Sequence, residues 1–187
     1  MKKIADVTRL VKDIVSEHIK EGDSVVDATM GNGKDTLWLS KMTGIKGKVY
    51  CFEIQNNAAT KALDMLYQRD TEAAIELIFR GHEVMDKMID EKVSAVVFNL
   101  GYLPGGDKEI TTKTETTIAG IESALKILKK GGIVAITCYT GHEEGKKERD
   151  AVLKFVSELD RKKYHAANIN YPNQGEDAPE IVFIVSK

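Results

Sequence analysis

Asp27, Asp35, Glu53 and Asn99 are the residues whose types and spacing carry chemistry, because each lies at or just beyond the end of an apolar run. Asp27 closes Val25-Val26 and leads into Ala28-Thr29-Met30-Gly31-Asn32-Gly33-Lys34-Asp35-Thr36, a glycine turn between a strand and a helix. Glycines at 31 and 33 permit positive φ and let a ligand come close to the backbone, which a nucleotide cradle after a parallel strand requires. Glu53 follows Gly31 by 22 residues and ends the run Val49-Tyr50-Cys51-Phe52. That spacing suits a carboxylate accepting hydrogen bonds from ribose hydroxyls.

Charge selects the nucleotide. A dinucleotide fingerprint places a third small residue where this chain has Thr36, and keeps anions away from the helix N-terminus that takes the pyrophosphate. Here Asp27 and Asp35 flank the turn. Two carboxylates repel a pyrophosphate and favour a ligand with a sulfonium and an α-ammonium group, which describes S-adenosylmethionine. Asp35 taken alone also fits a simple helix N-cap. The expected cofactor-binding set is Asp27, Gly31, Asn32, Gly33, Asp35, Thr36, Glu53 and Gln55, completed after the next two strands by His82, Glu83, Asn99, Leu100 and Gly101.

A second constellation, Val96-Val97-Phe98-Asn99-Leu100-Gly101-Tyr102-Leu103-Pro104-Gly105-Gly106-Asp107-Lys108, follows the fourth apolar run. In an open α/β sheet it lies beside the glycine turn at the carboxyl edge, where ligands bind. It resembles the Asn-Pro-Pro-Tyr motif of amino-methyltransferases, in which an Asn oxygen and a backbone carbonyl accept hydrogen bonds from the target amine while an aromatic ring packs on its base. Asn99 and the Leu100 carbonyl would take the accepting roles and Tyr102 the ring, making Asn99 and Tyr102 the catalytic pair, with Asp107 and Lys108 as substrate contacts. A glycine-rich turn with Asn99 as a cap is the alternative.

His82, in Gly81-His82-Glu83, either stacks on or bonds an adenine, or belongs to a surface turn. His142 is a substrate contact or proton acceptor near neutral pH, or the N-terminus of a solvated helix. The stretch Gly141-His142-Glu143-Glu144-Gly145-Lys146 begins like a zincin helix, but Lys146 stands where a second histidine is needed, so no metal site is expected.

The elements that must position these groups follow from periodicity. Short apolar runs alternate with helical patterns throughout, the signature of a parallel sheet covered on both faces. Strands are expected near 24–28, 48–53, 75–79, 94–99, 132–139, 165–171 and 181–186, and helices near 5–20, 35–42, 56–69, 84–89, 112–129 and 146–160. Leu128-Lys129-Lys130-Gly131-Gly132 reads as a helix stop. Only Pro172 to Glu180 separates the last two strands, too little for a crossover helix, so that pair should be an antiparallel hairpin. The expected fold is therefore α/β and Rossmann-like: a seven-stranded, mostly parallel sheet with a C-terminal antiparallel strand, the class I methyltransferase arrangement.

At 187 residues, 42% apolar and 30% charged, the chain reads as one ordinary globular domain over 1–187. Met1-Lys2-Lys3-Ile4-Ala5-Asp6 has no signal-peptide core, and no run approaches the roughly 20 apolar residues of a membrane span. A cytoplasmic location without membrane contact is expected. A net charge of −2 argues against a general basic coating, although Lys146-Lys147, Arg149 and Arg161-Lys162-Lys163 leave room for a phosphate-binding patch. Cys51 and Cys138 fall in strands separated by two intervening ones in such a sheet, roughly 14 Å from one another, too far to bridge.

Taken together, Val26-Asp27-Ala28-Thr29 through Thr36, the segment Phe98 to Lys108, and Tyr139 to Lys146 resemble the small bacterial class I methyltransferases labelled the "putative rRNA methylase" family. Its members include a tRNA 5-(aminomethyl)-2-thiouridine methyltransferase. The resemblance covers nearly the whole chain, with Glu143 standing where relatives would carry proline. It implies an S-adenosyl-L-methionine-dependent RNA methyltransferase acting on the aminomethyl group of a wobble uridine (position 34) in tRNA. An rRNA base methyltransferase, a small-molecule amine methyltransferase and a noncatalytic nucleotide-binding regulator are the alternatives. The implied partner is RNA, with tRNA favoured, and a homodimer is compatible with so small a catalytic domain.

Overall fold

The computed structural model describes residues 5–69, 71–101, 111–175 and 177–187. Along the chain the elements are α1 (Val7–Ser16), β1 (Ser24–Asp27), α2 (Lys34–Thr43), β2 (Lys48–Phe52), α3 (Asn56–Tyr67) and β3 (Ala74–Ile78). There follow a 3-10 turn (His82–Val84), α4 (Met85–Met88), β4 (Val93–Leu100), α5 (Thr114–Ile127), β5 (Leu128–Cys138), α6 (Glu143–Ser157), β6 (Tyr164–Ile169) and β7 (Glu180–Ser186).

All seven strands form one sheet in the order β3-β2-β1-β4-β5-β7-β6. β1 to β5 run parallel, and β7 pairs antiparallel with both β5 and β6. The expected C-terminal hairpin is therefore present, with its second strand inserted between β5 and β6. The order in which strands are added reverses between β1 and β4, which run parallel, and the turn after Asp27 and the exit of β4 consequently open side by side at the carboxyl edge.

Alternation along the strands divides the core. On β4, Val96, Phe98 and Leu100 face α4, α5 and α6, whereas Ala95 and Val97 face α1, α2 and α3. Both faces are covered, which explains why β4 and β5 read as unbroken apolar runs. Cys51 and Cys138 are buried and free, on strands separated by β1 and β4.

Several boundaries differ from expectation, among them α6, which runs Glu143–Ser157 where 146–160 was expected. α1 ends at Ser16 rather than near residue 20, because the amides of Glu17, His18 and Ile19 bond three residues back instead of four and the last turn tightens. The expected helix stop at Leu128 to Gly132 lies inside β5, where Leu128 pairs with Val93 and the register then shifts before Ile133 meets Ala95. Gly131, with φ +76°, sits in this irregular stretch, and Lys129 holds Asp23 at 2.6 Å. Tertiary pairing overrode the local cap signal. Among the described residues no helix is long and apolar enough to cross a membrane.

Candidate functional site

The turn after β1 is held by two carboxylates working from opposite sides. Asp27, only 1% exposed, accepts Thr36 Oγ1 on Oδ2 at 2.7 Å and the Thr29 amide on Oδ1 at 3.3 Å. Burial, reinforced by the nearby Asp35 charge, pushes its carboxyl up to about 7. Glu53 Oε2 accepts the Gly31 amide at 2.9 Å, and its Oε1 accepts the amides of Ile54 and Gln55 at 2.8 Å each. Three of its roughly four lone-pair positions are thus given to backbone. Glu53, expected to accept from a ribose, also shapes the cradle that would receive one.

Gly33 sits at φ +72° as the residue before α2, and a Cβ there would lie 3.0 Å from Met65 Cε and 3.2 Å from Ala62 Cβ of α3. Its need for glycine is therefore internal packing as well as backbone handedness. Asn32 is exposed at the tip of the turn and Gln55 is half-buried before α3. Thr36, expected to touch the ligand, is fully buried and supports Asp27 from beneath.

Asp35 is not the N-cap of α2. That place belongs to Gly33, and the Asp35 carboxylate reaches across the sheet edge instead. Lys12 of α1 donates to Oδ1 at 2.8 Å, with its ammonium 5.1 Å from the Trp38 ring centroid. Asn99 Nδ2 donates to Oδ2 at 2.8 Å, while the Asn99 backbone amide donates to Thr29 Oγ1 at 2.8 Å. A carboxylate can only accept, so it decides which way the Asn99 amide points and leaves the side-chain oxygen for another donor. The site is also less negative than two bare carboxylates would make it, since Asp35 carries its own cation.

His82 corrects the sequence reading. It is 7% exposed, its Nδ1 lies 3.1 Å from the Ala28 carbonyl, and its ring meets Phe98 edge-on at 5.3 Å. A Cβ at Gly120 would fall 2.5 Å from its Cδ2, so α5 closes over it. Burial lowers its pKa and keeps it neutral. It is neither an open adenine platform nor part of a surface turn; it braces the strand behind the glycine turn. Glu83, half-buried, folds back over Gly81.

His142 caps α6, accepting the Gly145 amide on Nδ1 at 3.0 Å, and its Nε2 lies 3.8 Å from where a Cβ of Gly101 would be. Tyr102, Asp107 and Lys108 lie outside the described residues. Of the late cations, Lys147 pairs with Glu144 at 2.8 Å and Arg149 with Glu180. Among the described residues no cluster of His, Cys, Asp or Glu is placed to hold a metal ion.

Four contributors escaped the sequence reading. Lys12 lies on α1 among its apolar residues with nothing in its spacing to mark it. Tyr139, 43% exposed at the end of β5, stands against Gly101 and close enough to Asp35 for that charge to help raise its pKa, burial being the larger cause. Buried Glu148 and half-buried Thr112 are joined by a hydrogen bond of 2.7 Å. The signal for Glu148 was its phase, since Gly145, Glu148 and Val152 are the buried positions of α6 at spacings of three and four.

Strand order, glycine turn, acidic strand end and an Asn at the exit of β4 define the class I methyltransferase fold. The chain belongs to the family described as "Putative rRNA methylase", whose family model matches residues 49–185. A Clostridium thermocellum protein described as a "putative rRNA-methylase" superposes with a TM-score of 0.94 at 39% identity, covering 97% of this chain and 98% of that one. A "putative methyltransferase" from Streptococcus mutans, solved in complex with SAH, superposes at 0.88 and 36% identity over 97% and 98% of the two chains. A chloroplastic tRNA (mnm(5)s(2)U34)-methyltransferase of Arabidopsis thaliana is 38% identical over 168 residues, 84% of this chain. The chain spans 60% of that relative's length.

Proposed function

We propose that this protein transfers a methyl group from S-adenosyl-L-methionine to the exocyclic aminomethyl nitrogen of a modified wobble uridine in tRNA. The observation that carries the reading is the Asn99–Asp35 hydrogen bond, which engages the Asn99 side-chain nitrogen and so assigns its oxygen the accepting role at the carboxyl edge. The residues also fit the cofactor: the Asp27 and Asp35 carboxylates suit an ammonium and a sulfonium, and Glu53 holds the glycine turn open at the Gly31 amide.

Bound there, S-adenosyl-L-methionine supplies a methyl group on a positively charged sulfur. The chain supplies position. Asn99 Oδ1 and the Leu100 carbonyl accept the two N–H bonds of a neutral amine, and its lone pair is thereby aimed at the methyl carbon. The amine lone pair would take the methyl group as sulfur keeps the bonding pair, and the methylated amine would release one proton to solvent. Orientation of this kind accounts for a large share of rate acceleration without a dedicated base. Gripping one unstacked base in a tRNA loop is within reach of such a site, because the pocket itself reads the base.

The test is methyl transfer from labelled S-adenosylmethionine by the purified protein. One acceptor is tRNA carrying 5-aminomethyl-2-thiouridine, and the others are undermethylated ribosomal subunits and small amines. Label in tRNA at the wobble nucleoside supports the proposal. Label confined to rRNA, or to a free amine, overturns it.

A further inference from the structure

We infer that Glu148 and Thr112 form a positioning relay that aims the Leu100 carbonyl at the acceptor amine. The inference rests on the reading of Asn99 and Leu100 given above. Glu148 is 2% exposed, and both its oxygens are occupied by hydroxyls: Oε1 accepts Thr117 Oγ1 at 2.6 Å and Oε2 accepts Thr112 Oγ1 at 2.7 Å. A hydroxyl has one hydrogen. Having given it to the carboxylate, Thr112 Oγ1 can only accept from its other neighbour, and that neighbour is the Gly101 amide at 2.8 Å. The Thr112 amide returns a bond to the Gly101 carbonyl at 3.1 Å, so Gly101 is clasped from both sides.

The consequence lies in one peptide plane. The Gly101 N–H and the Leu100 C=O belong to the same trans peptide unit and point in opposite directions. Fixing the N–H on Thr112 therefore fixes the direction of the Leu100 oxygen. Gly101 itself, at φ +129°, adopts a conformation that L side chains rarely take and that an unclasped glycine would readily leave. A buried carboxylate is also a poor choice for stability alone, since well-packed apolar residues commonly do as well or better. Its place here is explained by what it does to Thr112.

The two threonines provide the test, because each gives Glu148 one hydrogen bond but only Thr112 continues to Gly101. Variants Thr112→Val, Thr112→Ser, Thr117→Val and Glu148→Gln are compared with the parent for kcat on the tRNA acceptor, S-adenosylhomocysteine Kd, and exchange of the Gly101 amide hydrogen. Thr112→Val should lower kcat roughly 10- to 100-fold, as loss of acceptor alignment does. Its Kd should stay within about twofold, and Gly101 exchange should rise. Thr112→Ser should restore all three readings, and Thr117→Val should keep kcat within about threefold even where it lowers the melting temperature. Should Glu148→Gln fail to fold, the threonine pair decides. Equal kcat losses in Thr112→Val and Thr117→Val, or unchanged Gly101 exchange in Thr112→Val, overturn the relay while the parent still methylates tRNA. A parent that leaves tRNA unmethylated overturns the functional reading, and the relay with it.

Discussion

The Asn99 side chain donates to Asp35 Oδ2 at 2.8 Å, joining the exit of β4 to the first turn of α2. The same carboxylate takes Lys12 at 2.8 Å on its other oxygen. One acidic residue thereby serves two ends: it borders the cradle after β1 and it sets the orientation of the Asn99 amide, which we propose receives the acceptor. Asn99→Ala should lower turnover by on the order of 10² while leaving S-adenosylhomocysteine affinity within a fewfold, because positioning is what it removes. Single-turnover kinetics beside calorimetry checks this, and equal transfer by mutant and parent at saturating cofactor would remove Asn99 from the mechanism.

Asp27 gives the protein a pH dependence whose sign can be worked out. Its folded pKa of about 7 lies above the ordinary value of 3.8, so its contribution to stability is present below pH ~4 and is lost as pH rises toward 7. His82 opposes it. Its pKa is lowered by burial, so its contribution is present above the ordinary histidine value and is lost as pH falls. Only the difference between the parent and Asp27→Asn isolates the aspartate. Relative to Asp27→Asn, the parent's melting temperature should fall between pH 5 and pH 8. A difference that stays flat over that range would contradict the buried, protonated Asp27.

Ligand charge extends the argument. A cationic ligand favours ionised Asp27, so S-adenosylmethionine binding near pH 6 should release a proton and tighten as pH rises through 7. Calorimetry in two buffers of different ionisation enthalpy measures the release. Identical heats in both would show that Asp27 does not sense the ligand.

Glu53 predicts a loss in which binding and folding move together. Glu53→Ala leaves the Gly31, Ile54 and Gln55 amides without their shared acceptor. Cofactor affinity should weaken by roughly 1–3 kcal/mol, the scale of an unmade bond to a charged group. Titration with S-adenosylhomocysteine reads the loss, and denaturant melts should show a parallel fall in stability. Affinity unchanged in Glu53→Ala would take the turn out of the binding site.

Two glycines of like φ separate backbone strain from packing. Gly33 and Gly131 stand at +72° and +76°, but an added Cβ meets Met65 and Ala62 at the first and nothing within 4 Å at the second. Gly131→Ala should cost about 1–2 kcal/mol, the left-handed penalty alone. Gly33→Ala should cost at least ~1 kcal/mol more, because overpacking adds to it. Urea midpoints for the two variants decide the point, and equal shifts would mean that α3 yields to the extra methyl.

Alternation of apolar runs with helical patterns was enough to define seven strands, their parallel character and the terminal hairpin, because each signal is local and repeats with the period of its own element. Asp27, Gly31, Gly33, Glu53 and Asn99 could be singled out for a related reason: in a doubly wound sheet, strand ends converge whatever the helices do. Which of those groups would be spent on one another depended on distances between segments far apart in sequence. Lys12 reaches Asp35 from α1, and Asn99 reaches it from β4. Glu148 shows the limit most clearly. Among the charges of Glu143 to Asp150 it looked like one more solvated residue, and only the packing of α6 over α5 buries it against Thr112 and Thr117. Periodicity reports which face of a helix turns inward. It does not report what waits there, because a hydrogen bond is set by angstroms in three dimensions that a one-dimensional pattern does not encode.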